Sequence, residues 1–291
     1  MNDEHLSFFE LTQILSENDF FSLKIIIFLL FLTIFNWFLE ILKWRKLVSV
    51  VKKISFLKSL EQSLGALTAS LFTPNRIGEY GAKAIYFKYG IRKKIMLLNL
   101  LGNMAQMAIT TVLGILGLLA FYYLYNPSIN PYKLIVFIGI LLFIMGFTRF
   151  LFKDNKLEIK GFPLFKITNF IKNIPPEVKL QVIGISTLRY LVFSFQFYFS
   201  LSLFDTQLSY IEAMSVITSM YLLSSIIPSI FIFDVVVKGG VAVFLFSFAG
   251  VDELIILTIT TVMWLLNFVL PSIFGSYYVL NFNINSENDL A

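Results

Sequence analysis

Two acid–lysine pairs are the residues of this chain best placed to do chemistry. Glu79 and Lys83 stand four apart in the stretch Thr73-Pro74-Asn75-Arg76-Ile77-Gly78-Glu79-Tyr80-Gly81-Ala82-Lys83. Asp234 and Lys238 repeat that spacing in Ile227-Pro228-Ser229-Ile230-Phe231-Ile232-Phe233-Asp234-Val235-Val236-Val237-Lys238-Gly239-Gly240. At i and i+4 on a helix, the two side chains of each pair share a face and can bond. Two readings of the first pair stay open: a self-neutralising pair in a shallow loop, or a site for a lipid headgroup or ion lined by helix ends. The second copy favours a site, because Asp234 lies in the otherwise wholly apolar run Ile230–Val237. An ionisable group in lipid is costly and is kept for a purpose. Over both copies, Arg76, Lys83 and Lys238 face Glu79 and Asp234. A slight cationic excess beside helix N-termini suits a phosphate.

Arg189 is a further charge inside an apolar span, between Gln181 and Phe204. It can snorkel to the surface or serve as a counter-charge to Glu79 or to a substrate phosphate. The expected substrate-binding set is therefore Arg76, Glu79, Lys83, Arg189, Asp234 and Lys238, converging on one polar cavity near the membrane centre. Asn99, Asn103, Gln106 and Thr110 fall along one helical face, with Asn267 as their sparse equivalent; bonding between helices explains this stripe without a substrate. Cysteine is absent and histidine occurs once, as His5. This removes disulfides and thiolate chemistry, and it argues against His-ligated metals and Ser–His machinery. No catalytic residue, metal or cofactor is expected.

The elements that position these residues are membrane helices. The chain of 291 residues is 57% apolar and 14% charged, where soluble domains are about 25% charged. No charge occurs from Ile95 to Tyr132 or from Leu254 to Ser286, runs longer than the ~20 residues that span a bilayer. Full spans are expected at about 21–42, 95–125, 132–152, 180–204 and 254–280. The pairs 57–73 with 77–90, and 210–227 with 231–249, are each broken at a proline sentence. They read best as re-entrant helical hairpins, with Pro74, Gly78, Pro228 and Gly239 as hinges. The expected fold is thus all-α and integral to the membrane, with five full spans and two hairpins. Residues 1–20 carry five acids and no Lys or Arg; they form either an interfacial helix or a disordered tail.

Lys43, Arg45, Lys46, Lys52, Lys53, Lys58, Lys88, Arg92, Lys93 and Lys94 fall on one side of this topology, together with the six lysines of 153–179. The positive-inside rule then places the N-terminus outside and the C-terminal tail 281–291 in the cytoplasm. The net charge of +5 reports topology rather than nucleic-acid binding. Phe56 precedes Pro74 by 18 residues, and Tyr210 precedes Pro228 by the same interval. Three spans separate the copies, so 55–125 and 209–280 are expected to form an inverted repeat, the arrangement that points to a transport site near the midplane.

The stretch Pro74-Asn75-Arg76-Ile77-Gly78-Glu79, followed by a helix and a long apolar span, resembles the lysylphosphatidylglycerol-synthase transmembrane-region family. The similarity covers roughly residues 20–280. It implies a membrane-embedded fold with re-entrant elements; in larger members this part moves aminoacylated phospholipid between leaflets. Glu79 matches the family's Gly-Glu position, and Pro228 with Asp234 approximates its second motif. The departure is Pro-Ser-Ile-Phe-Ile-Phe-Asp at 228–234, where members usually carry glycines before the acid. The aminoacyl-transfer domain of larger relatives is not found in these residues, so the chain is not expected to be an enzyme.

The expected activity is flippase-like translocation of an anionic phospholipid, an aminoacyl phospholipid or a polyprenyl-phosphate-linked headgroup across the plasma (inner) membrane. The alternative is a non-transporting accessory subunit that docks a membrane glycosyltransferase or lipid-modifying enzyme on its basic segments 43–58 and 153–179.

Overall fold

Helix follows helix along this chain, because apolar runs in lipid must satisfy their backbone groups internally. The structure is a computed structural model and describes residues 22–71, 73, 77–128, 130–151, 158–159, 162–204 and 206–282. The segment 1–20, the tip residues Pro74 and Arg76, and the tail beyond 282 lie outside the described residues. In the first half come α1 (Leu23–Val48), α2 (Phe56–Ala69), α3 (Gly78–Ile85), a 3-10 turn at Tyr89–Ile91, and α4 (Arg92–Tyr125). A connecting region follows, with α5 (Pro131–Leu151), a two-residue strand pair (Glu158–Ile159 and Phe162–Pro163) and α6 (Leu164–Lys172). The second half holds α7 (Pro176–Ser202), α8 (Tyr210–Ile226), α9 (Phe231–Ser247), α10 (Glu253–Trp264), a π-helical turn (Leu265–Val269) and α11 (Leu270–Leu280).

The helix starts follow capping chemistry. Ser55 accepts a bond from the Lys58 N–H at 3.2 Å, and Ser209 forms a full capping box with Glu212. Asp252 accepts from the Leu254 N–H at 2.8 Å. Such side chains meet helix-end donors that have no intrahelical partner. Asn126, with φ of 40°, ends α4, and Gly250, with φ of 69°, makes the turn into α10.

Four stretches among the described residues are long and apolar enough to cross a bilayer: Leu23–Val48, Tyr89–Tyr125, Pro176–Ser202 and Glu253–Leu280. Large apolar side chains such as Phe31, Ile34, Leu116, Leu180 and Phe274 are exposed on their outer faces. Exposed apolar surface on this scale is sustained by lipid, not water. This is a multi-pass membrane protein. The expected fifth span is α5, a helix of 21 residues whose described part includes the apolar stretch Pro131–Phe143. The first span runs beyond its expected end at 42, which draws Lys43 into the fold as a buried residue. The described part of the linker 153–179 also has structure, since α6 and the turn after it dock Phe170 and Ile174 onto the apolar cluster around Trp44, Leu47 and Leu98.

The packing of the two halves is reciprocal. α2, the first arm of the first broken pair, packs on α11 at the end of the other half's long span. α8, its counterpart, packs on α4, the long helix of the first half. Within each half the second arm packs on its own long helix, α3 on α4 and α9 on α10. α1 and α7, the helices that precede the two broken pairs, pack on one another. Glycines mark the crossed contacts. A Cβ on Gly114 would strike Leu222, and one on Gly275 would strike Thr68 and the Leu64 carbonyl. Thr68 and Leu222 each stand six residues before the proline of their copy. Small residues at such crossings let backbones approach without a hydrophobic driving force between helices.

Candidate functional site

Glu79 belongs to the first turn of α3, and Lys83 lies one turn later. The Lys83 ammonium donates to Glu79 Oε1 at 2.7 Å and to Asn99 Oδ1 at 2.9 Å. It also sits 4.5 Å from the centre of the Trp44 ring, a cation–π contact. Lys83 is 1% exposed and Glu79 5%. Gly78 opens α3, its N–H donating to Thr73 Oγ1 at 2.9 Å, and a Cβ there would meet Thr73 and the Ser70 backbone. Thr73 can cap this helix because residue 78 has no side chain.

In the second copy α8 ends at Ile226, and residues 227–230 are non-helical through Pro228 before α9 begins. Asp234, in the first turn of α9, accepts from Lys238 Nζ at 2.7 Å and from Ser229 Oγ at 3.1 Å. Lys238 lies 4.6 Å from the centre of the Phe268 ring. This pair is more open than the first, with side chains 24% and 22% exposed. Gly239, expected as a hinge, instead lies within the unbroken α9. A Cβ on it would stand 3.2 Å from Leu257, so this glycine serves the packing of α9 on α10.

Arg189, on α7, reaches α1 and α4. Its Nη1 pairs with Glu40 and with Gln106 Oε1 at 3.3 Å, and its Nε donates to Asn36 Oδ1 at 3.2 Å. Glu40 also accepts from Lys43 at 2.7 Å. The sequence reading offered Glu79 or a substrate phosphate as the partner of Arg189, and missed Glu40. Lys43, counted among the surface cations, is 2% exposed. The available signal was Glu40 itself, the only charge between Ile25 and Leu42. Among the described residues only Nε and Nη1 of Arg189 have protein partners, so its forked array of donors is not exhausted.

These groups line a single cavity of about 360 Å³. Glu79, Arg189, Asp234 and Lys238 all face it, joined by Glu40 and Lys43. Lys83 is absent from the wall, its ammonium buried against Glu79, Asn99 and the Trp44 ring. Asn103, Gln106 and Thr110 of the polar α4 stripe also face the cavity, while Asn99 holds Lys83. The stripe therefore does more than join helices. Asn267 lies in the π-helical turn, where its carbonyl accepts from Trp37 Nε1 at 3.0 Å and its amide donates to Gln196 Oε1 at 3.0 Å. A π turn frees backbone groups in this way and recurs at functional sites. Among the described residues no three His, Cys, Asp or Glu side chains are grouped as metal ligands.

The arrangement is a polar chamber enclosed by membrane helices, built where two halves with broken helices meet. Acids and bases on it are paired, within a helix at Asp234–Lys238 and between helices at Glu40–Arg189, so a charged ligand can exchange partners with them instead of meeting isolated charges. The chain belongs to the lysylphosphatidylglycerol synthase TM region family, whose model matches residues 4–275. Comparison with curated proteins and with solved structures finds no match. The family defines a lipid-related membrane protein, and its transmembrane character agrees with the four long apolar stretches.

Proposed function

We propose that this protein is a non-enzymatic, flippase-like translocator of an anionic phospholipid headgroup across the plasma (inner) membrane. One observation carries the reading: charges from α1, α3, α7 and α9 meet on one cavity inside an apolar helix bundle. Broken helices in matching positions of two halves line transport sites in other membrane folds, and the α8–α9 break contributes Ile227 and Ser229 to the wall. Arg189 and Lys238 supply donors for a phosphate, with their acids as resting partners. In this reading α2–α3 and α8–α9 are re-entrant hairpins entering from opposite sides. The N-terminus lies outside and the C-terminal tail in the cytoplasm, as the basic segments require.

The test is a leaflet-specific assay in proteoliposomes with fluorescent phosphatidylglycerol. Wild type should accelerate exchange between leaflets, and Arg189→Gln and Asp234→Asn should each reduce the rate severalfold. A wild type that moves no lipid, or variants at the wild-type rate, defeat the reading and favour the accessory subunit.

A further inference from the structure

The last turn of α8 separates two different environments. Tyr221, Ser224 and Ser225 face the polar cavity, whereas Leu223 and Ile226 line a second, apolar groove of about 420 Å³. Ile227, where the helix gives way to extended backbone, lines both. Across the groove stand Phe137 of α5 and Gly240, Val241 and Phe244 of α9. α5 packs chiefly on α4, which leaves this gap between it and the α8–α9 pair. A charged chamber and a hydrocarbon-lined groove thus share one boundary residue.

A second observation points to an occupant. Tyr190 and Tyr221 line the polar cavity and are 5% and 8% exposed, yet among the described residues their hydroxyls have no hydrogen-bond partner. Buried hydroxyls are ordinarily satisfied, and an oxygen-rich ligand entering the cavity would supply what these two lack.

We propose that the groove seats one acyl chain of a glycerophospholipid whose headgroup occupies the polar cavity, with Ile227 at the boundary between them. This rests on the translocation reading only in taking the cavity as a headgroup site. The chain gains little hydrophobic energy, since it leaves lipid that is as apolar as leucine. What the groove provides is a route that keeps the chain out of the charged chamber while the headgroup enters it. Gly240 keeps that route open: a Cβ there meets no atom within 4 Å, so a larger side chain would fill the groove without a clash at its root.

The experiment uses the full chain in phosphatidylglycerol vesicles doped with phosphatidylglycerol carrying a diazirine on its acyl chain. After irradiation, mass spectrometry should find adducts at Phe137, Leu223 or Val241. Gly240→Trp should abolish these and leave adducts on the outer faces at Phe31 and Leu116. Gly240→Leu serves as the milder second variant, expected to lose the same adducts. Adducts confined to the outer faces, or groove adducts indifferent to both variants, overturn the inference. Displacement of the groove adducts by a small amount of added polyprenyl phosphate also overturns it, assigning the groove to an isoprenoid. Groove adducts in a protein that moves no lipid leave this inference standing and remove the transport reading; transport without groove adducts does the reverse.

Discussion

Neutralising the two repeated acids should have opposite balances of structural and functional damage. The Glu79–Lys83 pair has side chains 7% and 1% exposed, whereas Asp234–Lys238 has 22% and 24%. Breaking a buried pair by removing one partner costs about 3–5 kcal/mol, because the other charge is left uncompensated. Lys83 keeps Asn99 and the Trp44 ring after Glu79→Gln, which places the cost near the lower end, about 3 kcal/mol. Asp234→Asn leaves an ammonium that the open cavity can hydrate, so its cost approaches that of exposed pairs, about 1 kcal/mol. At roughly 2–4 °C per kcal/mol, Glu79→Gln should lower Tm by roughly 6–12 °C and Asp234→Asn by roughly 2–4 °C. Thermal unfolding of the purified protein in detergent, followed by intrinsic fluorescence, measures both. The double variant Glu79→Gln/Lys83→Met should recover most of the lost Tm and little of the lipid exchange. Equal losses for the two single variants, or a double variant no better than Glu79→Gln, would refute the assignment of a structural pair at one tip and an exchangeable pair at the other.

Other outcomes follow from named contacts. Gly275→Ala should cost about 1–3 kcal/mol, because the new Cβ falls on the Leu64 carbonyl, while Gly81→Ala, with nothing within 4 Å, should leave Tm unchanged. Asn267→Leu removes the donor to the buried Gln196 and should destabilise by about 1–3 kcal/mol, read in the same melt. On this cysteine-free background, Lys160→Cys should resist an impermeant reagent added to intact cells; labelling from outside would reverse the proposed orientation.

The broken pairs and the i, i+4 acid–lysine spacing were legible because each is local. Pro74 and Pro228 interrupt apolar periodicity, and the observed arms at 56–69, 78–85, 210–226 and 231–247 fall within a few residues of expectation. The Glu40–Arg189 pair was not legible, since it exists only when α1 docks on α7. Arg189 was noticed as an intramembrane charge and Glu40 was not, although the same cost argument applies to both. The pairing of α1 with α7 was invisible for another reason. Lipid-facing and core positions in these helices ask only for apolarity, so the two can occupy matching places with no shared motif. The hydrophobic count also hid the burial of Lys43, whose stem length lets a helix end carry a charge inward.

The crossed packing of the halves sets a timetable for the growing chain. α2 ends at Ala69 and its main partner, α11, begins at Leu270; at about 5–20 residues per second they emerge roughly 10–40 s apart. Ser59 and Gln62 find partners at once in the Ile41 carbonyl and Trp44 of α1. Thr68 has only the Leu64 carbonyl of its own helix until the Ser272 carbonyl arrives, and Gly65 and Leu64 face a missing neighbour until then. During that interval the first hairpin is an amphipathic piece without its seat, and an insertase or the headgroup region has to shelter it. A ribosome stalled before residue 270 should therefore carry a first half that proteases can reach, even though every residue of its own apolar cluster except Phe170, Ile174, Val178, Val182 and Phe282 has been made by Ala105.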